Sequence, residues 1–268
     1  MTDLARIRHV VLDMDGTIYL GKNLFPDTLP FLASLTRLGI GYSFMTNNCS
    51  RSRAQYVEHL RAIGIDAKPE SVVTSAHATA HYIAATLPNV KRLFVLGSSG
   101  LDDDFRLAGF EVVDDKPDAV VVGFDLDMTY NDLAQTAYWI SRGLPYIATH
   151  PDKVCPTDQP IVLPDCAAIC SLLETATGRK PDFIPGKPNP AMLEAVFTEQ
   201  QLAPAGVALV GDRLYTDIRM ARDAGAVAVL TLTGETKRSD IELCPAANRP
   251  DVVVNNLGEL QTLIEAAR

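Results

Sequence analysis

Five short apolar runs, residues 9–14 (HVVLDM), 41–46 (GYSFMT), 207–211 (VALVG), 226–232 (AVAVLTL) and 251–254 (DVVV), recur with helically spaced apolar patterns between them. Short continuous runs of this kind suit strands buried on both faces, and their alternation with amphipathic helices predicts an α/β chain built on a doubly wound parallel sheet. Such sheets bind ligands beyond the carboxyl ends of their strands. Asp13, Thr46 and Asp212 each stand at the end of one of these runs.

At 268 residues the chain is long for one domain and comfortable for two. From Ser75 to Pro185 a second series begins, with strand-like runs at 92–96, 119–124 and 145–149 and a helical pattern over 131–142. This series reads as an inserted α/β cap domain. Its borders fall in turn-rich text, VTSAHA at the start and GRKPDFIPGKPNP at the end. The expected division is a core of residues 1–74 and 186–268 and a cap of residues 75–185.

Asp and Glu number 33 against 24 Lys and Arg, a net charge of −9. That balance argues against a nucleic acid polymer as partner. The five cysteines are odd in number and lack C-x-x-C or zinc-ligand spacing, which fits a reducing compartment. A core strand begins within about ten residues of the start, and no apolar run approaches the roughly 18 residues that span a bilayer. A cytoplasmic location without membrane attachment is expected. His77 and His81 stand at i, i+4, but the Glu of a metalloprotease motif is absent, and neither a nucleoside-triphosphate loop nor a dinucleotide fingerprint occurs.

The first run ends in two acids, Asp13 and Asp15, spaced i, i+2. If residues 10–14 are extended, both side chains lean the same way, and two like charges in a partly buried place raise each other's pKa unless a cation or a shared proton relieves them. The plain alternative is an Asp-Gly turn with Asp13 capping a helix. Three further stretches decide between these readings: TNN at 46–48, GKPNP at 186–190 and GDRLYTDI at 211–218. Lys187 alone could be a turn lysine and Asp212 a helix cap. Together with DMDGT at 13–17, however, the four supply carboxylates for a hard cation, hydroxyl and amide donors for an anion, and a lysine for charge neutralisation. That combination describes a phosphate site with Mg2+.

The four segments resemble the motifs of the haloacid dehalogenase (HAD) superfamily. The long insertion between the second and third of them is similar to subfamily IIA, the NagD-like or 4-nitrophenylphosphatase-like branch, as is TGETKRSD at 233–240. The resemblance implies a HAD-like Rossmannoid core with a cap. It also implies an Mg2+-dependent phosphatase acting on small-molecule phosphate monoesters, such as a nucleotide or sugar phosphate, through an aspartyl phosphate.

Carried across, the resemblance makes Asp13 the nucleophile and Asp15 the acid and base, with Mg2+ and Lys187 favouring the anionic form of Asp13. Asp13, the carbonyl of Asp15 and Asp212 would hold the metal, and Asp217 would support them. Thr46 and Asn47 would donate to the phosphoryl oxygens, while Lys187 offsets charge. In the cap, THPDKVCP at 149–156 offers His150, Asp152 and Cys155 as contacts to the leaving group. The stretch LPDCAAICSLLE departs from the glycine-rich wording of many relatives. A phosphotransferase or phosphomutase of the same superfamily is the nearest rival, and a phospho-accepting signalling protein a more distant one. The expected partner is a small phosphate ester, with a homodimer as the expected assembly.

Overall fold

The structure is a computed structural model that describes residues 3–155 and 161–268. The chain forms two compact units. The first comprises Met1–Thr46, Val57–Val73 and Pro188–Arg268, and the second Asn47–Tyr56 and Thr74–Lys187.

After a 3-10 turn at Leu4–Arg6 comes β1 (His9–Asp13), whose five residues are all buried, as a continuous apolar run requires. A short antiparallel hairpin, β2 (Tyr19–Leu20) and β3 (Asn23–Leu24), leads into α1 (Thr28–Arg37) and β4 (Gly41–Thr46). Helix α2 (Arg53–Ala62) and β5 (Val72–Thr74) follow.

Next come α3 (Ser75–Thr86), β6 (Arg92–Leu96), α4 (Ser99–Leu107), β7 (Glu111–Val112), β8 (Ala119–Val122), α5 (Tyr130–Ser141) and β9 (Tyr146–Ala148). The small strands β10 (Val154–Cys155) and β11 (Leu163–Pro164) precede α6 (Cys166–Thr177). The chain closes with α7 (Ala191–Gln200), β12 (Val207–Gly211), a π-helical turn at Leu214–Ile218, α8 (Arg219–Asp223), β13 (Val227–Thr231), α9 (Arg238–Leu243), β14 (Val252–Val254) and α10 (Leu257–Ala266).

The first unit is organised by a six-stranded sheet of order β14-β13-β12-β1-β4-β5. Strand β1 pairs in parallel with β4 and β12, β12 with β13, and β13 with β14. The chain runs outward from β1 through β4 to β5, then returns to the other side of β1 and runs outward again. The winding therefore reverses beside β1, and a crevice opens beyond the carboxyl ends of the strands at such a switch point. Asp13 and Asp212 stand there, at the ends of β1 and β12. This is the doubly wound sheet that the sequence predicts.

The second unit carries a parallel sheet of order β7-β6-β8-β9. Its central strand β8 divides its side chains between two apolar clusters. Ala119 and Val121 pack with Ala76, Ile83 and Phe105 on one face, while Val120 and Val122 pack with Ile140, Ile169 and Leu173 on the other. Strand alternation and helices on both faces account for that split. Polar caps start its helices: Thr74 accepts from His77 N–H, Ser98 from Leu101 N–H, and Thr129 from Asp132 N–H. No described helix is long and apolar enough to cross a membrane.

Candidate active site

In the first unit, Asp13 is buried at 8% exposure, and its Oδ2 accepts from Thr17 Oγ1 at 3.3 Å. The extended geometry expected over residues 10–14 stops at Asp13. Past it the Met14 carbonyl accepts from Thr17 and Ile18 N–H, the chain turns, and Gly16 N–H donates to the Tyr19 carbonyl at 2.8 Å. Asp15 therefore lies in the turn and is exposed, where the sequence suggested two acids facing one partly buried spot. Gly16 takes φ +86°, a left-handed conformation that glycine adopts without steric penalty, and Thr233 Oγ1 donates to its carbonyl at 2.6 Å. Thr46 ends β4 one residue past Met45, which stands in register with Asp13.

Asp13, Asp212 and Asp217 each bring a carboxylate oxygen within 4.8 Å of the others, and all are buried. The π-helical turn aims Asp217 back toward the end of β12. There its Oδ2 accepts from Arg213 N–H and Thr216 Oγ1, each at 3.3 Å. Asp212 Oδ2 accepts from Glu235 N–H at 2.7 Å. The space around Asp212 is kept by glycine, since a β-carbon on Gly16 would stand 2.6 Å from Asp212 Oδ2 and one on Gly234 would overlap the carboxylate. Three hard oxygen donors held by fixed hydrogen bonds fit an Mg2+ ion.

Arg213 is a member of this group that sequence reasoning missed, although it directly follows Asp212 in GDRLYTDI. Its Nε lies 3.0 Å from Glu235 Oε2. Burial opposes its charge, but Tyr215, Asp212, Glu235 and Asp13 outweigh burial and hold the guanidinium above its usual range. Thr17 was likewise missed, and its position in DMDGT was the available signal.

In the second unit, Asn47 and Lys187 come together. Asn47 Oδ1 accepts from Lys187 N–H at 2.8 Å, and Asn47 Nδ2 donates to the Lys187 carbonyl at 3.1 Å. Nδ2 also donates to both carboxylate oxygens of Asp152 at 3.2 Å, and Ser75 Oγ donates to the Asn47 carbonyl at 2.5 Å. Both donors of the Asn47 amide are thus directed at protein groups.

His150 is fully buried. Its Nδ1 shares a hydrogen bond with Thr149 Oγ1 at 2.8 Å, and its Nε2 donates to Asp165 Oδ1 at 2.9 Å. Burial alone would depress the ring's pKa, but Cys166, Asp165 and Cys49 outweigh it and hold the value well above the usual one. Asp165 also accepts from Cys166 N–H at 2.6 Å and so caps α6. Cys155 is half-buried at the end of β10, its Sγ 3.9 Å from Asn48 Nδ2. Pro156, the last residue of the THPDKVCP stretch, lies outside the described residues.

A doubly wound sheet with buried carboxylates at its switch point defines an α/β protein suited to a divalent cation and an anionic ligand. Family models described as haloacid dehalogenase-like hydrolase and HAD-hydrolase-like match residues 10–111 and 184–260. The acid sugar phosphatase of Staphylococcus aureus is 36% identical over 240 residues, covering 89% of this chain and 92% of its own. A 4-nitrophenylphosphatase structure from Thermotoga maritima superposes with a TM-score of 0.93 at 39% identity, over 98% of this chain and 100% of that one. A glycerol phosphate phosphatase from Mycobacterium tuberculosis, solved in complex with magnesium, gives a TM-score of 0.89 at 32% identity, over 97% of this chain and 79% of that one. The chain belongs to the haloacid dehalogenase-like hydrolases, in their NagD-like and 4-nitrophenylphosphatase-like branch.

Proposed function

We propose that this chain is an Mg2+-dependent phosphoric monoester hydrolase acting on small phosphate esters through an aspartyl phosphate on Asp13. The observation that carries this reading is the buried cluster of Asp13, Asp212 and Asp217 at the switch point of the sheet. The relatives named above act, by their names, on a sugar phosphate, an aryl phosphate and glycerol phosphate. Their shared element is the phosphoryl group, so the reading commits to monoesters as a class.

An Asp13 carboxylate oxygen attacks phosphorus, and the bond from phosphorus to the alcohol oxygen breaks. Asp15 gives the leaving oxygen its proton. It then removes a proton from the water that attacks the aspartyl phosphate, freeing inorganic phosphate and the Asp13 carboxylate. Asp15 stands past the strand end in a turn, outside the buried carboxylate cluster, which suits a group that must exchange protons. Thr46 donates to the phosphoryl oxygens, Lys187 offsets their charge, and Asn47 holds Lys187. Asp13, Asp212 and the Asp15 carbonyl would hold Mg2+, with Asp217 fixing their arrangement. When bound, the ion supplies charge neutralisation for the transferring group.

Residues 1–74 and 186–268 serve as the catalytic core, although Asn47–Tyr56, Gly186 and Lys187 belong to the second compact unit, and residues 75–185 serve as a cap that selects the alcohol half of the ester. Of the loop residues expected to govern that choice, Cys155 is half-exposed and can meet a leaving group, whereas the buried His150 acts by holding the loop through Thr149 and Asp165. The five cysteines are free, consistent with a cytoplasmic enzyme. A homodimer is the proposed assembly, and light scattering tests it.

The experiment is a panel of phosphate monoesters assayed for release of inorganic phosphate with Mg2+ and with excess chelator. Release that requires the metal is the expected outcome. Transfer of the phosphoryl group to another hydroxyl without release would favour a mutase, and a long-lived phosphoprotein a signalling role.

A further inference from the structure

The amide of Asn47 is dictated by its partners. Its oxygen faces the Lys187 N–H, and its nitrogen faces the Lys187 carbonyl and both oxygens of Asp152. Reversed, it would set oxygen against a carbonyl and a carboxylate and set N–H against N–H, so only one orientation satisfies every group. Asp152 is itself fixed, because its carbonyl accepts from Ala167 N–H at 2.9 Å in the first turn of α6. His150, Asp152 and Asp165 also bring their polar atoms within 4.8 Å of one another. A hydrogen-bonded chain thus runs from the capped start of α6 through Asp152 and Asn47 to the backbone of Lys187. Lys187 is buried, at 3% exposure, so its side chain has little freedom to compensate for a displaced backbone.

We propose that Asp152 is a positioning residue for phosphoryl transfer, locking the Asn47 amide that holds Lys187 in place. This rests on the phosphatase reading, in which Lys187 offsets phosphoryl charge. Asp152 then acts on the half of the substrate that all esters share, and not on the alcohol. Losing a hydrogen bond to a charged group should lower kcat by about 10- to 150-fold, equally for every ester, with KM little changed.

The test assays the full chain with Mg2+ against 4-nitrophenyl phosphate, glycerol phosphate and a sugar phosphate. The variants are Asp152→Ala, Asp152→Asn, Asn47→Ala and the Asp152→Ala/Asn47→Ala double, with thermal melting as the check on folding. Three results are expected: a uniform fall in kcat for Asp152→Ala, partial recovery in Asp152→Asn, whose amide oxygen still accepts from Asn47, and a double variant no slower than Asn47→Ala alone. If Asp152→Ala does not fold, Asp152→Asn and its double with Asn47→Ala complete the same cycle. Wild-type kcat in the Asp152 variants, a loss confined to some esters, or losses that multiply in the double would each overturn the proposal. A wild-type chain that releases phosphate from no ester would overturn the phosphatase reading itself, and the proposal with it.

Discussion

Gly234 leaves room for Asp212: a β-carbon on the glycine would overlap the aspartate's carboxylate, whose Oδ2 accepts from Glu235 N–H at 2.7 Å. The loop after β13 therefore sets where that carboxylate points. Gly234→Ala should move Asp212 and leave the distant apolar core alone. Disturbing the groups that orient a metal ligand typically costs about 10- to 100-fold in metal affinity, so the Mg2+ concentration for half-maximal activity should rise by that factor. An Mg2+ titration of the folded variant checks it, and an unchanged midpoint would show that the loop does not set the ligand.

Asp13→Asn should keep its fold and lose turnover by several powers of ten, because an amide cannot form the acyl phosphate. Asp15→Asn should lose the about 10²- to 10⁴-fold that positioned proton transfer contributes. Single-turnover assays separate the two. Asp15→Asn should still label Asp13 with an activated aryl phosphate, whose leaving group needs little protonation, and Asp13→Asn should never be labelled.

Excess chelator should abolish activity, and Mg2+ should restore it. Ca2+ should restore less, since the larger ion takes more ligands at longer distances and can engage both oxygens of Asp13, tying up the attacking one. Asp212→Ala should weaken Mg2+ binding, measured by calorimetry, more than it lowers the melting temperature. Full activity in chelator would remove the metal from the reaction.

The parts legible in the sequence are those whose signal is local. Strands β1 and β12 match apolar runs because both their faces are covered and every residue is buried, while β4 and β6 match theirs through buried middles. Strands β7, β10 and β11 hold two residues each and leave no periodicity to read. Asp13 and Asp212 were legible because each sits at the end of a readable strand, and Asp217 because it falls in the GDRLYTDI stretch that follows β12. The partners of Asn47 were not, because Asp152 and Lys187 lie 105 and 140 residues away and such hydrogen bonds have no sequence pattern. Asp15 misled for a related reason: the strand stops at Asp13, and the turn that follows is stabilised by backbone bonds to Met14 and Tyr19 that residue types alone do not announce.

Cys155 should tune the choice of alcohol. Cys155→Ser and Cys155→Ala should shift the relative kcat/KM among esters by about 2- to 10-fold, the worth of one ordinary hydrogen bond, and leave hydrolysis of an activated aryl phosphate in place. A ratio among esters that stays fixed would place leaving-group selection elsewhere in the cap.

The last prediction concerns stability against pH and turns on Asp104 in α4, whose two carboxylate oxygens accept from Arg53 N–H, the first residue of α2, at 3.0 and 3.2 Å. Burial raises its pKa from 3.8 to about 6, against the opposing pull of the Arg53 N–H, with Asp103 nearby adding to the rise. The folded state therefore holds this proton more tightly than the unfolded chain does. The stabilising contribution is fully present below pH 3.8 and is lost as pH climbs through about 6. Asp104→Asn keeps an oxygen to accept from Arg53 and has no charge to desolvate, so its own contribution does not titrate. Relative to wild type, the variant should gain stability as pH rises from 4 to 7, with most of the change complete just above the raised pKa. Denaturant midpoints for both proteins across that range isolate the effect, because every other titrating group cancels in the difference. A difference that stays constant with pH would mean that Asp104 releases its proton as readily in the folded protein as in the unfolded one, and that burial at the start of α2 does not hold it.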